Sequence, residues 1–282
     1  MTPIYDVIEP YSEMKENERY FLNGIIRALK PRKILEVGVS SGGGSAIILN
    51  AISDIDGAKL YSVDYAEKAY RHHDKLSGFL VNEKFPELAD KWQIFRGGDV
   101  SRFIEQIGGD IDFLMLDTAH IHPWETLNFL CILPFMSKNY SWTVLHDIAI
   151  FMGPVERSEL ACRYLFGHVV SEEKITPSPL ANIGAFKISD VTYKYVQNLF
   201  EALFIPFDIQ VSEKDLNDIR RIIEKYYTQE QYKFFCEILE AQEYMFTHQR
   251  SLMRKIKDNI KKSTRPELLT SLRKIKNFLR IP

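Results

Sequence analysis

The chain is poor in features that would staple, anchor or extend it. Its 282 residues include three cysteines, Cys131, Cys162 and Cys236, with no Cys-x-x-Cys pair and no metal-ligand spacing. A disulfide framework and a zinc knuckle are therefore excluded, and buried reduced thiols are expected. No apolar run approaches the roughly 20 residues of a transmembrane helix. The opening Met1-Thr2-Pro3-Ile4-Tyr5-Asp6 has no basic segment followed by an apolar one, so no secretory leader is expected and a cytoplasmic location is. Internal repeats, low-complexity tracts and nucleic-acid-reading motifs are lacking too, so no nucleic acid is expected as a partner. Net charge is only −2, which gives the whole chain no pull toward an acidic partner. That balance hides an asymmetry. From Arg250 to Pro282 there are 11 Lys and Arg against Asp258 and Glu267, about +9, which leaves about −11 on the remainder.

What the chain does have is a hydrophobic content of 45%, enough for a sizeable core, and one stretch that organises it. Ile34-Leu35-Glu36-Val37 is a short apolar run. It ends in the glycine-rich turn Gly38-Val39-Ser40-Ser41-Gly42-Gly43-Gly44-Ser45, which opens into Ala46–Ile52 at helical spacing. Strand, tight turn and helix begin a βαβ unit. Glycines there let backbone approach a ligand, and the N–H groups of the helix start can contact it.

Ahead of this stretch, residues 11–29 read as a helix with Ser12 as N-cap. Lys15 stands where a capping box needs Glu or Gln, so that box is not expected. Phe21, Leu22, Ile25, Ile26 and Leu29 form the apolar face, and Pro31 ends the helix. Further strands are expected at 59–64, 92–96, 111–117 and 142–148, with helices at 65–80, 84–90 and 100–107 and after Pro123. A helix near 155–166 precedes two closing strands at 167–171 and 183–188. No helix fits between those two, so an antiparallel edge is expected. The fold class is α/β: a doubly wound, seven-stranded, mostly parallel sheet with an antiparallel last strand. From Asp190 the composition changes, and 191–204, 213–227, 229–247 and 249–262 read as helices. The expected domains are 1–189 and a helical region 190–282.

The turn alone does not identify a ligand. Gly38-x-Ser40-x-x-Gly43 lacks the second glycine of the dinucleotide fingerprint. Glu36, two residues before the first glycine, suits a cationic ligand and suits a pyrophosphate poorly. Asp64 ends the second strand 26 residues after Gly38, near the usual place of a ribose-binding acid. Glu36-x-Gly38-x-x-x-Gly42, Asp64, the Gly98-Asp99 turn and the closing hairpin together resemble the class I S-adenosylmethionine-dependent methyltransferases, over roughly 11–189. The resemblance implies a Rossmann-like methyltransferase fold with S-adenosylmethionine as cofactor. It implies that Glu36, Gly38 and Ser40, with Gly42 and Ser45 of the same turn, contact the methionine end. Asp64 would take the ribose, Asp99 the adenine, and Asp117 would complete the cofactor set.

Two other strand ends carry chemistry: Asp117-Thr118-Ala119-His120 and His146-Asp147. In an open α/β sheet ligands bind outside the carboxyl ends of the strands. Asp117 and Asp147 are hard oxygen ligands for a divalent ion such as Mg²⁺, which would acidify a bound hydroxyl, and His120 is placed to take its proton. This pattern resembles the metal-dependent O-methyltransferases of antibiotic and polysaccharide clusters, which include the macrolide-sugar enzymes. The resemblance implies Asp117, Asp147 and His146 as the metal set, His120 and Asp117 as catalytic, and a sugar or polysaccharide-precursor hydroxyl as acceptor. His146 departs from the family pattern, where an acid is usual. It reads as a ligand, as an orienting group or as a packed histidine. Asp117 also reads as a helix-capping acid and His120 as a surface residue. Tyr65, Tyr70, His72, His73 and Trp124 are candidates for an acceptor pocket, though each also fits packing or surface. Arg71 is a candidate anion contact.

Three readings stay open: the metal-assisted O-methyltransferase, a metal-independent N- or carboxyl methyltransferase, and a non-catalytic scaffold of the same fold. The basic helical tail suits an anionic membrane face or a partner subunit in a homodimer.

Overall fold

The centre of the molecule is a sheet whose middle strands read as unbroken apolar runs, because both faces are covered by helices. The structure, a computed structural model, describes residues 4–138, 140–150 and 160–262, with side chains as far as 248. The strands are β1 (Lys33–Val37), β2 (Lys59–Asp64), β3 (Lys68–Ala69), β4 (His72–Leu76), β5 (Trp92–Arg96), β6 (Phe113–Leu116), β7 (Ser141–His146), β8 (Lys174–Ile175) and β9 (Ile183–Ile188). Seven of them form one sheet in the order β5-β2-β1-β6-β7-β9-β8, while β3 and β4 pair separately. β5, β2, β1, β6 and β7 run parallel, and β9 runs antiparallel to both of its neighbours, β7 and β8. The expected fold class is the observed one.

The helices are α1 (Ile4–Ile8), α2 (Glu16–Leu29), α3 (Gly43–Ala51), α4 (Phe79–Lys84), α5 (Ile104–Ile107), α6 (Trp124–Ile132), α7 (Ala161–His168), α8 (Asp190–Lys194), α9 (Gln197–Ala202), α10 (Glu213–Tyr226) and α11 (Gln229–Lys262). α2 buries Leu22, Ile25 and Ile26 in the same core as Ile47, Ile48 and Leu49 of α3. Each such side chain contributes about 1.5–3 kcal/mol by leaving water. Contacts divide the chain into two units, Met1–Phe235 and Cys236–Pro282. Helices α8 to α10 lie within the first. They are tied to α6 and the turn after it: the Tyr227 hydroxyl donates to Leu130 O (2.6 Å) and that of Tyr193 to Leu133 O (2.9 Å). No helix among the described residues is long and apolar enough to cross a membrane. The basic residues of 250–282 lie outside the described side chains, and so do both readings of the tail.

Several local expectations need correction. Residues 65–80 do not form a helix. They form the β3–β4 hairpin and lead into α4, with Ala69 alone buried between Lys68 and Leu76. A helix there would have no apolar stripe to bury, whereas a ribbon needs only its His72 ring against Tyr11 and Phe79. No strand occupies 167–171. α7 continues to His168 because Leu165 and Phe166 still have the sheet to pack on, and the edge strand moves to Lys174–Ile175. α2 starts after Lys15, not Ser12, and its first turn is closed by Glu18, whose carboxylate accepts from Lys15 N–H (2.6 Å). Short 3₁₀ turns at Pro86–Lys91 and Val100–Arg102 replace parts of two expected helices. The helix expected at 155–166 appears as α7 from Ala161, its first part lying outside the described residues. The two expected helices 229–247 and 249–262 are one, α11.

Candidate functional site

All the acids singled out in the sequence stand at the carboxyl edge of the sheet. Gly38 follows β1 at φ +90°, and a Cβ there would lie 1.7 Å from the Asp117 carbonyl oxygen beyond β6. Glycine is required because two chain segments touch backbone to backbone. The next residues are held by an acid. Asp64 Oδ2 accepts from Val39 N–H (3.1 Å), Ser40 N–H (2.8 Å) and Ser77 Oγ (2.6 Å), and its Oδ1 accepts from Ala66 N–H (2.9 Å). The turn's N–H groups thus face a carboxylate of the protein itself, which repels a phosphate from the place a dinucleotide would use.

Glu36 lies beneath, 1% exposed, its Oε2 accepting from Ser45 Oγ (2.5 Å) and Ser62 Oγ (2.6 Å). Burial lifts its pKa to about 7 against those two hydrogen bonds, and the charges of Asp117 and Asp64 add to the rise. Asp99 is buried and caps its own turn through Ser101 N–H (2.9 Å). The rings of Tyr65 and Trp124 meet at 5.8 Å, and the Tyr65 hydroxyl donates to Asp215 Oδ2 (3.1 Å). Among the other pocket candidates, Tyr70 is 71% exposed, His73 is exposed, and Arg71 pairs with Glu13 (2.8 Å).

The ends of β6 and β7 bring four predicted residues together. His120 Nε2 lies 2.8 Å from Asp147 Oδ2 and 3.8 Å from Asp117 Oδ1. His146 Nδ1 lies 3.0 Å from Asp147 Oδ2 and 3.4 Å from Asp117 Oδ1. Asn182 Nδ2 donates to Asp147 Oδ1 (2.5 Å). His120 and Asp147 both sit in the left-handed region, φ +57° and +56°. Such strain in non-glycine residues persists only where the surroundings enforce it. For His120 the enforcer is Glu125, fully buried on α6, whose Oε1 accepts from His120 N–H (2.6 Å) and Thr118 Oγ1 (2.8 Å). The Cys162 Sγ stands 3.6 Å from His120 Nδ1.

Charge is concentrated here. Burial opposes a proton on His120, but the hydrogen bond to Asp147 and the charges of Asp117, Asp147 and Glu125 outweigh it and lift the imidazole to about 9. Burial likewise would raise Asp147, yet the hydrogen bond from His120 and the charges of both imidazoles hold it far below the usual carboxylate range. His122, by contrast, turns away. It is buried with Nε2 3.1 Å from Ile205 O, and burial lowers it to about 4.

The fit to a metal can be judged from one atom. His146 Nδ1 is buried and makes no aligned hydrogen bond, although two carboxylate oxygens lie within 3.4 Å. A proton aimed at either oxygen would satisfy it. One unaligned imidazole nitrogen with a carboxylate oxygen of Asp117 and one of Asp147 at this spacing instead suits a shared cation, for which Asp147 Oδ2 would exchange its contact with His120. Asp117, His146 and Asp147 each offer one such atom within 4.8 Å of the others. The turn fits a positively charged cofactor on the same logic, since Glu36, Asp64 and Asp117 converge on it. Two surface depressions lie elsewhere. One, lined by Arg27, Lys30, Asp54 and Asp56, is at the opposite edge of the sheet; the other, lined by Asp74, Leu76, Phe79 and Arg96, is beside the hairpin.

Sequence reasoning missed Glu18, Glu125, Asn182 and Ser62. Ser62 alternates with apolar neighbours inside β2, and a hydroxyl in a buried strand was the signal available. Glu18 and Asn182 had none, because their partners are 128 and 35 residues away along the chain, on elements whose facing is not a local property; Glu125 is five residues from His120, but their contact follows from the left-handed turn at His120, which no hydrophobic period signals.

A family model described as a methyltransferase domain matches residues 35–148. Among solved structures, a Klebsiella pneumoniae protein provisionally described as an O-methyltransferase is similar at TM-score 0.51 and 13% identity, covering 67% of this chain and 91% of that one. A Staphylococcus aureus protein provisionally described as a caffeoyl-CoA O-methyltransferase gives 0.50 at 11% identity, with 67% and 93% covered. The O-methyltransferase TomG from Streptomyces achromogenes, solved with S-adenosylmethionine, gives 0.49 at 14%, with 66% and 86% covered. At these identities the first two likenesses show the fold alone. No curated protein matches the chain.

Proposed function

We propose, from the premise that residues 35–148 form a class I S-adenosylmethionine-dependent methyltransferase domain, that this protein methylates a hydroxyl with the help of a divalent cation. The orphaned Nδ1 of His146 between two carboxylates carries the reading. Asp117, Asp147 and His146 would hold the cation, which lowers the pKa of an acceptor hydroxyl. Glu36, Gly38, Ser40, Gly42, Ser45, Asp64 and Asp99, with Asp117, would hold S-adenosylmethionine, the source of an electrophilic methyl group.

His120 is the base, with Nε2 as the accepting atom. While Asp117 and Asp147 keep their full charge, His120 stays protonated near neutrality, since its pKa is about 9. Once that charge is neutralised it returns toward the ordinary imidazole value and can take a proton. The His120 imidazole, followed by NMR, should therefore titrate lower in metal-loaded protein than in protein stripped by a chelator. Methyl transfer itself is driven by positioning. The rigid backbone contact at Gly38 and the enforced left-handed residues supply that. Sugar and polysaccharide-precursor hydroxyls are the favoured acceptors. This preference rests on the resemblance of the Asp-x-x-His and strand-five pattern, and phenols come second.

Calorimetric titration with S-adenosylmethionine tests the cofactor half. A cation beside Glu36 favours its ionised form. At low pH the carboxyl must lose a proton for binding, so affinity should rise by up to about tenfold per pH unit between pH 5 and 7 and then level off. In Glu36→Gln the rise should disappear. No binding of S-adenosylmethionine at any pH would remove the cofactor assignment. Full turnover in the presence of a chelator would favour the metal-independent reading.

A further inference from the structure

The metal reading leaves a residue unexplained: a second, buried carboxylate contacts the far nitrogen of His146. Glu18 lies in the first turn of α2, 128 residues from His146, and its Oε2 is 3.1 Å from His146 Nε2. Both side chains are 3% exposed. We propose that Glu18 is a positioning residue that makes His146 a nitrogen ligand and so turns the centre from Mg²⁺ toward a first-row transition-metal ion. The proposal rests on the metal reading above.

The physical chain is short. An ionised carboxylate only accepts hydrogen bonds, so Nε2 must carry the proton and donate it to Glu18. A cation between Asp117 and Asp147 takes the place of the proton on Nδ1, and the lone pair so freed faces Asp117 Oδ1 and Asp147 Oδ2 at 3.4 and 3.0 Å. Ligands about 2.1 Å from one ion at right angles are separated by about 3 Å, close to the 3.0 and 3.4 Å between Nδ1 and the two oxygens. A carboxylate on the remote N–H of a ligating histidine is a recurrent arrangement that fixes the tautomer and raises ligand basicity. Glu18 is itself pinned by Lys15 N–H at 2.6 Å, so the carboxylate that receives Nε2–H is held in place. Imidazole nitrogen favours zinc, iron and their neighbours, while all-oxygen sets favour magnesium. One nitrogen and two carboxylates therefore belong to the transition-metal class.

The test uses the full-length chain, freed of metal by dialysis, and Co²⁺ as the probe, followed by its visible absorption and by competition with Mg²⁺. Wild type should bind one Co²⁺ that a hundredfold excess of Mg²⁺ does not displace. Glu18→Ala should weaken Co²⁺ binding about 10–100-fold, and Glu18→Gln, whose amide oxygen still accepts from Nε2–H, should recover part of it. His146→Asp provides an independent arm should Glu18→Ala not fold: it creates an all-oxygen set, and Mg²⁺ should now displace Co²⁺. Equal binding of the two ions by wild type, or Co²⁺ affinity unmoved in Glu18→Ala, overturns this inference and leaves the metal reading standing. Binding of neither ion overturns the metal reading first, and this inference with it.

Discussion

Asp117→Ala is expected to lower kcat/KM by about 10³-fold or more, a loss larger than the accompanying weakening of S-adenosylmethionine binding, because seven other residues share the cofactor. The carboxylate takes part in two things at once. Its Oδ1 is one of three atoms that converge with His146 Nδ1 and Asp147 Oδ2, and it lies 3.8 Å from His120 Nε2. On the proposed reading, removing it takes away a cation ligand and one of the charges that set the base. Loss of base catalysis alone costs about 10²–10⁴ in rate, and loss of the cation adds several kcal/mol to the barrier. The fold should survive, because the side chain is 26% exposed and His146, its buried neighbour, keeps Asp147 and Glu18 as partners. Asp117→Asn, which keeps the shape, should be nearly as inactive. The measurement is transfer of a labelled methyl group to a hydroxylated acceptor chosen by screening sugars and phenols, beside calorimetry of cofactor binding. Turnover within tenfold of wild type would sink the metal-and-base reading.

The second large effect is on stability. Gly38→Ala should cost about 2–5 kcal/mol, enough to unfold a marginal domain or to abolish cofactor binding in what remains. Two penalties add. The left-handed backbone at φ +90° costs an alanine about 1–2 kcal/mol, and the new methyl would sit 1.7 Å from the Asp117 carbonyl oxygen. Forcing β1 and β6 apart at that point adds about 1–3 kcal/mol of overpacking. Two controls separate the causes. Gly57→Ala has φ +69° but nothing within 4 Å, so it should show the backbone penalty alone. Gly24→Ala lies within α2 with nothing within 4 Å, and should stabilise by about 0.5–1 kcal/mol. Denaturant midpoints for the three variants give the ranking. A Gly38→Ala protein as stable as Gly57→Ala would mean that the turn and the β6 end do not touch.

The glycine-rich turn between β1 and α3 was legible because its signal is local. Ile34–Val37, the glycines and Ala46–Ile52 switch period within twenty residues, and that switch alone specifies strand, turn and helix. Acids at successive strand ends were legible for the same reason, since every parallel strand delivers its last residue to one edge. The hairpin at 68–76 was not, because its polar residues satisfy neither period and only the aromatic contact with Tyr11 and Phe79 holds it in place.

His146 shows the boundary most clearly. The sequence by itself determined that a histidine and an aspartate end β7 beside the aspartate that ends β6, and so determined that the three meet. It left the role of His146 open among ligand, orienting group and packed ring. Only the tertiary structure brought Glu18 from α2 to its far nitrogen and Glu125 from α6 to the backbone of His120. The reason is physical. Periodicity fixes which face of an element is buried, but the direction of one imidazole is decided by a single hydrogen bond to a residue 128 positions away, and no local pattern encodes that distance.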